Sequence, residues 1–252
     1  MPQHRSPMAS TRSSSTPNPM GASQRLGVVC DFDGTITATD IGTMLFERFA
    51  TSDWLDLERQ AEAGLIDVWT CSTAQFGLLP SAIEELSQTA VAGALLRNGV
   101  ADFFSWCQGR GIPLIVASHG VDCYVHPVLD AFSLVATDVL CGQTIGGGTG
   151  LQVSYEHLVD DMFAGERDQK RLAVLRLKAK GNTAVLIGDS LWDYPAATIA
   201  DVVFARDGLL AQCRKQGLDC APFDDFLEIR DRPEVLLANG LARPATTSDS
   251  TR

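Results

Sequence analysis

The sequence lacks several things that would assign it to common classes. No stretch reaches the roughly 18 consecutive apolar residues that a membrane-spanning helix needs, so no membrane role is expected. Positive charge is scarce: 20 Lys and Arg stand against 31 Asp and Glu, for a net charge of -11. No local basic patch offsets this, and nucleic-acid phosphates would be repelled, so no nucleic-acid partner is expected. The seven cysteines form no C-x-x-C pair, which excludes the usual zinc sites; their odd number and scatter imply reduced thiols and a cytoplasmic location. Cys30 sits in an apolar run and reads as packing rather than as a nucleophile. Residues 1–24 are rich in Ser, Thr and Pro and lack the apolar stretch of about 7–15 residues found in a secretory signal. A disordered tail is expected there, and another at 241–252. The glycine-rich run at 146–150 lacks the spacing of a dinucleotide fingerprint and reads as a hairpin tip between strands within 134–154. The sequence is silent on oligomeric state.

What is present is an alternation of short apolar runs and helical patterns. Strands are predicted at 26–30, 112–117, 183–187 and 202–205, and helices at 121–131, 171–180, 191–199 and 209–216. The helix at 171–180 carries Leu172, Leu175 and Ala179 on one face, with Asp168 as its N-cap. Such alternation implies an α/β fold, a doubly wound and mostly parallel sheet. Residues 39–97 show helical periodicity without a strand signal, and they exceed what one crossover helix requires. They read as a small helical cap, which leaves a catalytic core of 25–38 and 98–240.

Four short motifs fall where open α/β sheets bind ligands, at the carboxyl ends of strands or the start of a helix. The first is DFDGT at 31–35, with Asp31 and Asp33 two residues apart, pointing the same way if the chain stays extended. Paired acids repel and require a cation or a shared proton. Ser118 follows the second strand in ASHG, read as the start of a helix, where hydroxyl and backbone N–H groups suit a phosphate. The adjacent His119 reads as a loop residue without a role. Lys170 opens a helix and brings a positive point charge. GDSLWD at 188–193 adds Asp189 at a strand end and Asp193 one helical turn on. Carboxylates gathered at one edge favour a hard, oxygen-loving cation such as magnesium.

In this order the four motifs resemble the haloacid dehalogenase-like phosphatases, over residues 26 to 229. The resemblance implies that Asp31 is the nucleophile, forming a phosphoaspartyl intermediate, and that Asp33 is the general acid and base. It implies Mg2+ held by Asp31, Asp189 and the backbone carbonyl of Asp33, with Ser118 and Lys170 on phosphoryl oxygens. Asp193 would orient metal-bound water or Lys170, and Thr35 would fix Asp33. The substrate is then a small phosphorylated metabolite. The cap lies between the first two motifs, as in the phosphoserine phosphatases, where Asp40 stands at the position of a substrate-reading Glu. DFDGTIT at 31–37, RNG at 97–99, VFAR at 203–206 and the tail at 222–230 are similar to the methionine-salvage phosphatases acting on 2-hydroxy-3-keto-5-methylthiopentenyl 1-phosphate. Asp40, Thr43, Phe46 and Arg97 are the candidates for reading the substrate. His119 and Trp192 depart from the family pattern, which has glycine and a small or polar residue at those places. A phosphoserine phosphatase, or a phosphotransferase or phospho-accepting signalling module using the same Asp, is the alternative.

Overall fold

The computed structural model describes residues 25–232, apart from 149, 160 and 164. Both expected tails lie outside the described residues, as does the stretch 233–240 of the expected core.

Seven strands form one sheet in the order β4-β3-β2-β1-β5-β6-β7. They are β1 Arg25–Cys30, β2 Leu114–Val121, β3 Asp138–Gly147, β4 Leu151–Ser154, β5 Asn182–Gly188, β6 Val202–Ala205 and β7 Ala221–Pro222. All pairings are parallel except β3 with β4, the antiparallel hairpin around the glycine-rich run. β1 lies between β2 and β5, and every residue after Arg25 in it is buried. This burial on both faces is why it reads as a continuous apolar run rather than an alternating one. Each large aliphatic side chain so buried contributes roughly 1.5–3 kcal/mol. The chain moves outward through β2 and β3, then returns to the other side of β1 at β5. That reversal opens a crevice at the carboxyl end of β1.

Four helices fill the insert: α1 Ile41–Phe49, α2 Trp54–Glu62, α3 Val68–Gly77 and α4 Ile83–Gly93. The first three begin at Asp40, Asp53 and Asp67, whose carboxylates accept from backbone N–H groups of the first turn. The chain enters and leaves the insert through one antiparallel bridge, Thr37 with Leu96. α4 packs on α6 and α3 on β4, so the insert leans over the sheet edge. The remaining helices are α5 Val100–Gly109, α6 Asp122–Ala131, α7 Gln169–Ala179, α8 Tyr194–Ala197, α9 Asp207–Gln216 and α10 Phe226–Arg230.

Three local expectations change. The second strand does not end at Ala117; it runs through Ser118 to Val121 with a break in register, and α6 starts only at Asp122. The helix expected at 191–199 is a 3-10 turn at Leu191–Asp193 followed by the four-residue α8, with Pro195 in its first turn. α7 buries Leu172, Ala173, Val174 and Leu177, whereas Leu175 is half-buried and Ala179 exposed. It lies across β5, β2 and β1, and a helix flat on a sheet buries a wider stripe than one row of its surface.

Candidate active site

The first acid follows directly on β1. Asp31 donates its N–H to the carbonyl of Ile187 in β5 (3.0 Å), which fixes the turn-off point of the chain. The residue is 4% exposed; its Oδ1 accepts from the N–H of Phe32 at 2.8 Å and lies 3.0 Å from Nζ of Lys170. Lys170 comes from the first turn of α7, where Asp168 caps the helix as expected. Its ammonium also donates to Oδ1 of Asp193 at 2.7 Å, so it stands, almost wholly buried, between two carboxylates. Burial works against the charged ammonium, but Asp193 and Asp31 outweigh it and raise the Lys170 pKa.

Asp193 does more than hold the lysine. Its Oδ2 accepts from the N–H groups of Asp189 and Ser190 at 3.0 and 2.9 Å and from the Ser190 hydroxyl at 3.2 Å, tying together the loop after β5. Asp189 then projects one carboxylate toward Asp31. Oxygens of Asp31, Asp189 and Asp193 all lie within 4.8 Å of one another. Burial and the charge of Asp193 push Asp189 up to about 6, against the Thr35 hydroxyl and Lys170. Burial and Asp193 raise Asp31 as well, against Lys170.

Asp33 does not point the same way as Asp31. The chain turns at Gly34, whose φ of +76° is a left-handed conformation, and a Cβ there would come within 2.3 Å of Oδ2 of Asp189. Asp33 instead faces the insert. Its Oδ1 accepts from the N–H groups of Ile41 and Gly42 at 2.8 and 3.3 Å, at the positive end of α1. Its Oδ2 accepts from the hydroxyl of Tyr124 at 2.7 Å. Burial, and after it the charge of Asp40, push Asp33 up to about 7 against these hydrogen bonds. Tyr124 is a site residue that the sequence reading missed. Only the docking of α6 beneath the insert brings it there, and no local pattern marks it.

The expected bond from Thr35 to Asp33 is replaced: Thr35 Oγ1 donates to Oδ1 of Asp189 at 2.7 Å, because the turn at Gly34 swings residue 35 toward the loop after β5. Arg97 is likewise reassigned. Its Nε donates to the carbonyl of Thr35 at 3.0 Å and its Nη2 to that of Gly34, so the guanidinium clamps the backbone of the turn and does not line the cavity. Asp40 caps α1 through Thr43 N–H (2.7 Å) while its exposed carboxylate also borders the cavity, as do Thr43 and Phe46. Ser118 is buried, with Oγ accepting from the N–H of Gly120 at 2.9 Å. His119, expected in a loop, lies in the irregular end of β2 and lines the cavity beside Trp192.

Together these groups surround a cavity of about 390 Å³, within the usual range for small-molecule sites. Its inner end holds Asp31, Lys170, Asp189 and Ser118, and its outer walls come from the insert, including Phe46, Trp54 and Phe76. Oδ2 of Asp31, Oδ2 of Asp189 and the carbonyl of Asp33 accept no hydrogen bond among the described residues. Three unpaired oxygens of this kind, two of them anionic, fit a hard divalent cation.

Comparison with known proteins agrees with this geometry. Residues 28–198 match the haloacid dehalogenase-like hydrolase family. A 2-hydroxy-3-keto-5-methylthiopentenyl-1-phosphate phosphatase of Bacillus velezensis is 32% identical over 205 residues, covering 81% of this chain and 87% of its own. The protein of the same name from Geobacillus thermodenitrificans is 32% identical over 215 residues, covering 84% and 97%. Among solved structures, a phosphoserine phosphatase captured as a phospho-aspartyl intermediate analogue superposes with a TM-score of 0.61 at 18% identity, over 82% of this chain and 97% of that one. Cytosolic 5'-nucleotidase IIIB bound to cytidine gives 0.55 at 19% identity, over 86% and 85%, and at such identities both show the fold alone. With a family match across most of the described residues and relatives that are phosphatases, the chain belongs to the haloacid dehalogenase-like hydrolases and is a phosphoric monoester hydrolase.

Proposed function

We propose that this enzyme hydrolyses the phosphate ester of a small metabolite with Asp31 as nucleophile and magnesium as cofactor. The observation that carries the reading is Lys170, buried and held at 3.0 Å from Asp31 and 2.7 Å from Asp193, with the carboxylate of Asp189 alongside. A lysine so held is a fixed positive charge for phosphoryl oxygens. Asp31 attacks phosphorus, the ester bond breaks, and a phosphoaspartyl group forms. Asp33, with a pKa near 7, is protonated often enough to give its proton to the departing alkoxide. Left as a base, it then takes a proton from the water that attacks the phosphoaspartate, and inorganic phosphate leaves. Ser118 and Lys170 hold the phosphoryl oxygens, while Asp193 positions Lys170. Magnesium would be held by Asp31, Asp189 and the carbonyl of Asp33, and when bound it neutralises charge on the phosphoryl group.

Residues 39–97 act as a cap over a core of 25–38 and 98–240, and the Thr37–Leu96 bridge supports that division. The identity to salvage phosphatases and the aromatic walls from Phe46, Trp54 and Phe76 support 2-hydroxy-3-keto-5-methylthiopentenyl 1-phosphate, or a closely related ester, as substrate. Phosphoserine is the second reading, favoured by the carboxylates of Asp40, Glu58 and Glu62, which border the cavity and suit an ammonium group. Seven free thiols, six of them buried, support a reducing, cytoplasmic setting. A screen of phosphate esters with and without magnesium tests the whole reading. One ester is expected to exceed the others by more than about tenfold in kcat/KM, a difference of roughly 1.4 kcal/mol at the transition state. Asp31→Asn should lose at least about 10³-fold in kcat while keeping its fold; undiminished turnover overturns the nucleophile assignment. A phosphoenzyme that persists instead of releasing phosphate would favour a signalling role, and release only in the presence of an acceptor alcohol a phosphotransferase.

A further inference from the structure

The end of β2 has spent nearly all of its polar groups on the protein itself. The carbonyl of Ser118 accepts from Nε2 of Gln169 at 2.8 Å, and Ser118 Oγ accepts from the N–H of Gly120 at 2.9 Å. The carbonyl of His119 accepts from the hydroxyl of Tyr155, whose ring is stacked on Trp69. Gln169 is in turn held by Nε1 of Trp69 at 2.9 Å. The backbone of residues 118 and 119 is thus fixed from behind. One group stands outside this closed network: Nε2 of His119 is enclosed by the protein and has no hydrogen-bond partner. Leaving a buried polar group unpaired is costly, so a fold that keeps one beside a reactive site calls for a ligand atom to pair it.

The location says what that atom is. In a regular strand Ser118 and His119 would face opposite sides. The break in register between Ala117 and Val121 brings both to the same cavity, with Asp31 and Lys170. The imidazole meets Trp192, from the loop after β5, edge to face at 6.5 Å between ring centroids. β2 and β5 flank β1, so the two rings approach each other across the end of the strand that Asp31 follows. Both rings line the cavity, and His119 is near enough to Lys170 for the ammonium's charge to act on it.

We propose that His119 is a further phosphoryl-binding residue, its Nε2–H donating a hydrogen bond to an oxygen of the bound phosphoryl group. The inference rests on the phosphatase reading above and adds a donor that the family motifs do not contain. Burial, reinforced by the charge of Lys170, lowers the pKa of His119, so the ring is neutral and supplies a single N–H rather than a second cation. Nε2 is enclosed in the unliganded site, so presenting it to a ligand requires rotation about χ2, a broad torsion in histidine.

Binding of inorganic phosphate, measured by calorimetry in excess magnesium, tests this without knowledge of the natural ester. His119→Leu fills much of the same volume and has no donor; His119→Gln places an amide N–H near the position of Nε2. His119→Leu is expected to weaken phosphate binding by about tenfold or more, as for a hydrogen bond to a charged oxygen, with His119→Gln recovering most of the loss. Two esters with different alcohols should lose kcat/KM in His119→Leu by the same factor. Unchanged phosphate affinity in His119→Leu overturns the proposal. So does an equal loss in both variants, which would make the ring's packing the cause, and so does a loss confined to one ester, which would make His119 a reader of the alcohol. If the unsubstituted enzyme binds no phosphate and cleaves no ester, the phosphatase reading itself fails.

Discussion

Asp33 and Asp31 are two residues apart in sequence and live in different electrostatic surroundings. Asp31 has an ammonium at 3.0 Å, whereas Asp33 has only neutral donors, and burial carries it up to about 7. Its neighbours allow the shift to be taken apart. In metal-free protein the Asp33 carboxyl should titrate near 7 by carbon NMR. Asp40→Asn removes a nearby negative charge and should move that midpoint down. Tyr124→Phe removes a donor that favours the ionised form and should move it up. An unmoved midpoint in both variants would remove the acid–base assignment. At the same scale, Asp193 pairs a buried lysine and braces two N–H groups. Its replacement by Ala should cost on the order of 3 kcal/mol in urea unfolding, since the lysine keeps only one of its two anions.

The turn between β1 and the insert is the element on which the site depends. Gly34 has φ +76°, and the space where its Cβ would be is taken by the Asp189 carboxylate. A non-glycine residue in this conformation costs roughly 1–2 kcal/mol, and the displaced Asp189 adds to it. Gly34→Ala should therefore lose both stability and most activity, measured by thermal unfolding and by kcat. Arg97 supports the same turn from the far side through the carbonyls of Gly34 and Thr35. Arg97→Lys cannot reproduce the fork. It should lower kcat and stability, the latter by about 1–2 kcal/mol, with KM little changed. A large rise in KM alone would return Arg97 to the role of substrate reader.

Across the whole molecule, the gathered carboxylates set how stability responds to pH and metal. Asp31, Asp33 and Asp189 are all raised above the ordinary carboxylate value near 4. The folded protein then binds more protons than the unfolded chain between about pH 4 and the raised values of about 6 and 7, so these groups subtract stability as pH rises through that window. Magnesium held there would offset this repulsion and compete with protons for the carboxylate oxygens of Asp31 and Asp189. Its addition should raise the melting temperature more at pH 8 than at pH 5.5, relative to chelated protein. An equal gain at both values would count against a carboxylate-held cation.

The sequence alone determined what is local. Apolar runs became buried strands, acids closed β1 and β5, and Asp168 started α7 with Lys170 in its first turn, because strand burial and helix capping are decided within a few residues. A helical insert between the first two motifs was legible for the same reason. Tertiary structure decided where each polar side chain turned. Thr35 bonds a residue 154 positions away, Asp33 meets Tyr124 91 positions on, Arg97 reaches back 62 positions, and His119 enters the cavity through a broken register. These outcomes depend on a left-handed turn at Gly34 and on how α6 and the insert dock against the sheet. A pattern of neighbours along the chain carries no information about which distant donor will be within three ångströms of a carboxylate, since only packing fixes that distance.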